Sequence, residues 1–494
     1  MQHHHLRPLG LGLGLVVCSF GAACGNPRDA TFDPKASGGS GGSGGGLGLT
    51  TAGGGHSTGS GGTFTITTGA DYDAGTPQGP CTGLACQQTT CTLGDCKQRP
   101  CAAGAKTTVS GTVLDPAGKV PLYNVIVYVP NAPLDPMVEG ATCDKCGSIS
   151  GSPIAATLTD TKGNFVLSNV PVGTDIPLVI QIGKWRRQLK VPAIAACADT
   201  PIADKTLTRL PKNKSEGDIP KMALTTGGWD PLECLLRKIG IDDSEFTPET
   251  GTGRVNYYAG VGGTSSFAPA NGGANFSPVV PFWNDLAMLK KYDVVLMACD
   301  GQESPQDKSA MARKSIQDYA GIGGRLFMSH WNNFWLENGP EPFPTAAAWN
   351  HQPDLANPFT AQIDTTFPKG AALADWLVNV QGSTTRGQLV IREAQHTIDA
   401  VNPGAQRWIY GENPKSIQYL TLNTPMGAKP EDQCGRIVLS DIHVSSGDRI
   451  NAPFPSGCTT TDLSPQEKAL EFMLFDLTSC VRDDMAPPIP PVIN

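Results

Sequence analysis

Hydrophobic periodicity changes once along this chain, near residue 210, and that change limits the folds open to it. Upstream, apolar residues alternate. Val109, Gly111 and Val113 stand two apart, and so do Tyr123, Val125, Val127 and Val129. Alternation at period two places every second side chain on one face of a half-buried strand. Turn chemistry separates the runs at 115–118 and 161–163, and about seven short strands over 106–208 predict an all-β sandwich. Downstream, short apolar runs alternate with helix-period segments, which predicts βα units and a mostly parallel, flavodoxin-like sheet over 218–482. The fold class expected is therefore multidomain, an all-β sandwich followed by an α/β domain, as two independently packed bodies.

Within the second region, strands are predicted at 221–226, 292–298, 323–330 and 436–443. A helix follows Asp230, placed at the N-cap with Pro231 at N1. Leu232, Leu235, Leu236 and Ile239 form its apolar face. A second helix is predicted over 304–319. A third runs over 464–477, opened by the capping-box pattern Ser464-Pro-Gln-Glu467.

The N-terminal part is of a different kind. Arg7 gives a positive start, and an apolar run from Leu9 to Phe20 follows. That run suits a signal peptide and is too short to span about 30 Å of hydrocarbon. Gly21, Ala22 and Ala23 then precede Cys24. The arrangement resembles a bacterial lipobox, which implies a 1–23 signal peptide, lipid attachment at Cys24 and a membrane partner reached through that anchor. Gly21 stands where an aliphatic residue is usual, and an ordinary secretory signal is the alternative. Residues 24–80 contain a Gly/Ser tether, which cannot bury enough apolar surface to order itself. The expected location is exported, on a bacterial outer membrane, facing the periplasm or the cell surface.

Cysteines agree with an oxidising compartment. Cys81, Cys86, Cys91, Cys96 and Cys101 recur every five residues within 81–105, a segment with few large apolar side chains, so disulfides are expected to order it. Loss of Cys18 with the leader and acylation of Cys24 leave an odd number of the 15 cysteines. Cys299, inside an apolar run, is the expected free one. Cys143 and Cys146 form a C-x₂-C, read as one local disulfide or two separate bridges.

A net charge of −8 with no basic stripe excludes a nucleic-acid partner. Residues 483–494 read as a Pro-rich tail with no packing pattern.

Two families are resembled. S-G-T-V-L-D-P-A-G-K from Ser110, V-Y-V-P from Val127, T-D-x-x-G-N-F from Thr159 and V-P-V-G from Val170 resemble the carboxypeptidase regulatory-like domain. The resemblance implies a transthyretin-like sandwich without catalysis, here with an insertion at about 131–151. Trp185 or Tyr128 on its edge could offer an exposed aromatic strip for peptide or sugar, or could pack inward. YDVVLMACDG from Tyr292, IQDYAGIGGRLFMSHW from Ile316 and GRIVLSDIH from Gly435 resemble the class I glutamine amidotransferase-like fold, nearest its trehalose-utilisation branch.

That chemistry needs a Cys thiolate at a strand-to-helix elbow with a His beside it. The matching position here carries Ser329 and His330, with no Cys, so glutaminase activity is not expected. Ligands of α/β sheets bind at the carboxyl ends of strands. Trp229, Asp300, His330, Asp441 and His443 stand there, with Trp331 adjacent and Trp335 and Trp349 further on. The histidines and aspartates could act as acid and base or hold a metal, and the indoles could stack on sugar. His351 and His396 sit in loop contexts and carry no signal.

Two functions are carried forward, with no cofactor called for in either. One is a noncatalytic cell-envelope lipoprotein that binds or scaffolds, with a carbohydrate or peptide ligand. The other is an α/β hydrolase-type enzyme acting on carbohydrate through His330, Asp441 and His443.

Overall fold

The computed structural model describes residues 98–493, apart from 103, 147–148, 445–447 and 492. Cys24, the tether and most of the cysteine ladder lie outside the described residues. Of the ladder, Cys101 is described, and it is bonded to Cys197.

The period-two region forms two facing sheets. Asn164–Ser168, Thr108–Thr112 and Asp199–Pro201 make one. Ala155–Leu158, Ile126–Val129, Gly173–Ile182 and Trp185–Ile194 make the other. Tyr128 and Trp185 are both fully buried, so neither contributes to an exposed aromatic strip.

The second region is built on an 11-stranded sheet. Seven of its strands run parallel, with the short strands Phe246–Pro248 and Ser277–Pro278 paired to Val255–Ala259 and five in the spatial order Val255–Ala259, Met222–Thr225, Val294–Met297, Arg325–Ser329, Gly435–Ser440. Numbered along the chain, these lie 2-1-3-4-5, an order that reverses direction between Met222–Thr225 and Val294–Met297. A crevice opens at such a reversal because the following segments leave toward opposite faces. Four antiparallel strands that the sequence did not announce extend the far edge: Lys415–Thr424, Ala405–Glu412, Phe359–Ile363 and Gln388–Ile391.

Alternation explains the layering. Met222, Leu224, Val294, Leu296, Phe327 and Val438 face one core, while Ala223, Val295, Met297, Leu326, Met328, Ile437 and Leu439 face the other. The second core is covered by Val279–Asn284 and Ala310–Gly321. The first is covered by Leu232–Lys238 and Pro465–Thr478, and it continues without a break into the sandwich.

The expectation of two separate bodies is therefore corrected. Tyr123 stacks on Phe472 at 5.8 Å, Trp185 meets Phe475 edge-on at 5.7 Å, and Trp376 Nε1 donates to the Pro121 carbonyl at 2.7 Å. Gly183, at φ +53°, permits the approach, since a Cβ there would stand 1.7 Å from the Thr478 oxygen. Cys143 and Cys146 make two separate bridges, to Cys434 and Cys480, that staple the sandwich insertion to the large sheet.

Local signals held unevenly. Ser464 forms the expected capping box with Glu467. The second helix starts later than its sequence pattern, at Ala310, with the Ser309 side chain capping Ala312 N. Asp230 caps nothing: its carboxylate accepts from Ser329 Oγ at 2.5 Å and from Val444 N at 2.8 Å. The 483–494 segment is also corrected, because Asp484 is buried in an ion-pair network with Arg436 and Lys369.

Candidate functional site

Register brings the site together. Met297 pairs with Met328 across two parallel strands, so carrying that register two residues on sets Cys299 opposite His330. Cys299 Sγ lies 3.5 Å from His330 Nδ1. The His330 ring stands 5.2 Å from that of His443, which follows the adjoining strand. All three side chains are buried, and their donor atoms lie within 4.8 Å of one another. His330 holds φ +38°, an uncommon backbone state for a residue other than glycine, at the turn from strand into a 3₁₀ segment. His443 is held by the bond from Gln466 Nε2 to its carbonyl at 2.8 Å and by its neighbour Val444 on Asp230.

Burial sets the charge state. Desolvation, with the nearby His443 and His351, pushes His330 well below the usual histidine range. Burial pushes His443 down to about 4. Burial also raises the Cys299 thiol, backbone hydrogen bonds from Trp331 and Gly301 oppose it, and the charges of Asp230 and Asp300 raise it further. At neutral pH the cluster is two neutral imidazoles and a thiol. His443 Nε2 is buried with no hydrogen-bond partner among the described residues.

The aspartates are used elsewhere. Both Asp441 oxygens accept from Thr397, from its N at 3.0 Å and its Oγ1 at 2.8 and 3.0 Å. Burial nevertheless lifts Asp441 to about 6. Asp300 is buried and paired with buried Lys308 at 2.8 Å, while desolvation raises its carboxyl. Asp230 is pushed up to about 7 by burial, against the bonds from Ser329 and Val444. Of the residues singled out from sequence, the structure brings His330 and His443 together and engages Asp441 with Thr397.

The indoles divide. Trp335 is core, edge-on to Trp283, with Nε1 on Asn332 Oδ1. Trp349 bonds the Pro344 carbonyl. Trp229 is 61% exposed and lies against Gly301, where φ is +82° and a Cβ would strike the indole at 2.2 Å. Trp331 is half-buried, 4.8 Å from the His330 ring and stacked on His351 at 5.5 Å.

Trp331 and His351 line an open recess of about 460 Å³ with Gln302, Glu303 and Gln306. His351 bonds Glu337 at 2.8 Å and lies 4.0 Å from Glu303. Sequence reasoning set His351 aside as a loop residue and Cys299 as plain core. Cys299 had a signal, since it ends its strand as His330 does. His351 had none, since its neighbours come from distant loops.

No family model matches this chain, and no curated protein does. Among solved structures, a ThuA-like protein from Bacteroides uniformis is similar over 45% of this chain and 82% of its own, at 10% identity and TM-score 0.23. A cohesin–X-dockerin complex from Acetivibrio cellulolyticus is similar over 29% of this chain and 75% of its own, at 15% identity and TM-score 0.14. At these scores neither likeness bears on what the site does.

Proposed function

We propose that this chain is an exported, lipid-anchored binding protein of a bacterial envelope, and that the carboxyl edge of its parallel sheet takes a carbohydrate. The observation that carries the reading is the pair of indoles at that edge. Trp229 is exposed beside Gly301, and Trp331 lines an open recess with amide and carboxylate groups at its rim. Aromatic faces stack on the apolar faces of sugars, while amides and carboxylates take hydroxyl hydrogen bonds. The rival, a hydrolase working through His330, Asp441 and His443, needs a carboxylate to orient or charge an imidazole. Asp441 has given both oxygens to Thr397 and Asp300 is paired with Lys308.

Calorimetric titration against a panel of neutral oligosaccharides tests the site. Trp331→Ala should weaken binding about tenfold, the equivalent of 1.4 kcal/mol. Failure of every sugar to bind, or wild-type affinity in both Trp229→Ala and Trp331→Ala, removes the reading. The anchor is tested apart from the ligand: in globomycin-treated cells the precursor should accumulate, and normal processing would remove Cys24 as the attachment site.

A further inference from the structure

The thiol–imidazole cluster is more than a packed corner. A buried polar atom left without a partner costs about 1–3 kcal/mol. Among the described residues His443 Nε2 is such an atom, whereas the other two buried histidines have partners, His396 in Asp399 at 2.8 Å and His330 in Cys299 at 3.5 Å. His330 occupies a strained backbone position beside it. Two unfavourable features at one point, converging with a thiol, call for a compensating ligand.

The separation of donors identifies its class. Zinc binds thiolate at about 2.3 Å and imidazole at about 2.0–2.1 Å, so in a tetrahedral site sulfur and nitrogen stand about 3.5 Å apart. Cys299 Sγ and His330 Nδ1 are separated by 3.5 Å. The remaining donor separations, up to 4.8 Å, close with modest rotation of an imidazole. One sulfur and two nitrogens suit a borderline ion such as Zn²⁺ and not the hard, oxygen-seeking Mg²⁺ or Ca²⁺.

We infer that Cys299, His330 and His443 form a transition-metal site, with Zn²⁺ as its natural occupant and one coordination position left for a non-protein donor. Metal binding releases the thiol proton to solvent as the Zn–S bond forms, with no change of oxidation state. The inference goes beyond the carbohydrate reading and stands without it, because metal content and sugar titration are separate measurements.

The test uses the exported protein purified without chelator from zinc-supplemented cells, and the same protein refolded with Co²⁺. Elemental analysis should find about one zinc per chain. The Co²⁺ form should show a thiolate-to-cobalt charge-transfer band, which reports sulfur ligation specifically. Cys299→Ser should abolish that band, and His443→Ala should weaken metal affinity by more than the 10–100-fold that loss of an outer-shell partner costs. Circular dichroism establishes that each variant has folded. A third arm needs no variant: bound Zn²⁺ should slow alkylation of Cys299 by iodoacetamide in partly denatured wild-type protein. Substoichiometric zinc together with no cobalt band, a band retained in Cys299→Ser, or alkylation indifferent to Zn²⁺ would each overturn the assignment.

Discussion

The parallel strands have two unlike ends. At their amino ends stand full charges, every one answered. Asp293 receives Lys184 at 2.6 Å. Arg436 pairs with Asp476 and Asp484 at 2.8 and 2.9 Å, and Lys369 bridges the same two carboxylates. Arg325 gives its guanidinium to the Cys434 and Ser479 carbonyls. The two inter-region disulfides close over this end, at Cys434 and Cys480. At the carboxyl ends of the same strands one ion pair, Asp300 with Lys308 at 2.8 Å, stands beside neutral imidazoles and a thiol, with one ring nitrogen unanswered among the described residues. Buried ion pairs hold a geometry, whereas a ring nitrogen left unpartnered beside converging donors awaits something. One sheet thus separates its structural chemistry from its binding chemistry by the length of a five-residue strand.

Breaking the charged end should cost most. Arg436→Met leaves two buried carboxylates short of a cation and should destabilise by about 3–5 kcal/mol, read from denaturant unfolding. A loss under about 1 kcal/mol would mean the network is not what holds that end. Replacing Cys143 and Cys146 by Ser together should come next. The two bridges start three residues apart and close overlapping loops, so together they are worth little more than one, about 2–4 kcal/mol, and the drop in Tm should be on the order of 3–5 °C.

A third experiment sharpens the contrast through pH. Asp115 and Glu471 meet at the seam between sandwich and sheet. Burial pushes Asp115 up to about 6 and Glu471 well above the carboxylate range, partly through each other. Both fold better protonated, so their contribution is complete below the unfolded pKa near 4 and is lost as pH rises through the folded values. Glu471→Gln should therefore gain on wild type in Tm as pH goes from 4 to 8, and a constant difference would refute the raised titration of Glu471. At the neutral end the expected effects on stability are small. In chelator-treated protein His443→Leu should change stability by less than about 1 kcal/mol, since an unsatisfied nitrogen is removed. Trp229→Ala, on the surface, should stay within about 0.5 kcal/mol in stability while losing sugar affinity.

Much of this was legible beforehand in its local parts. Period two gave the strands of the sandwich, Ser464 and Glu467 gave their capping box, and the apolar run around Cys299 marked it as the free cysteine among the described residues. What stayed hidden depended on partners far along the chain. Alternation puts Val125 and Val127 on one face of a strand, and it left Trp185 open to either face, but it does not say that the sandwich shares a core with Phe475, because a hydrophobic face carries no address. Asp441 read as catalytic until Thr397, 44 residues away in sequence, claimed it. The pairing of Cys143 and Cys146 spans 291 and 334 residues, beyond any inference from spacing. Asp230 looked like a cap by position, yet strand ends meeting overhead gave it better donors in Ser329 and Val444.

Asp484 has a consequence for how the molecule comes into being. Synthesis proceeds from the amino terminus, so Lys369 and Arg436 are made long before this carboxylate, which lies past the last helix. Until it arrives, two cations share Asp476 alone, and the interior cannot close on them without stranding positive charge. The final locking of the great sheet thereby waits for a residue made after its last described strand and helix.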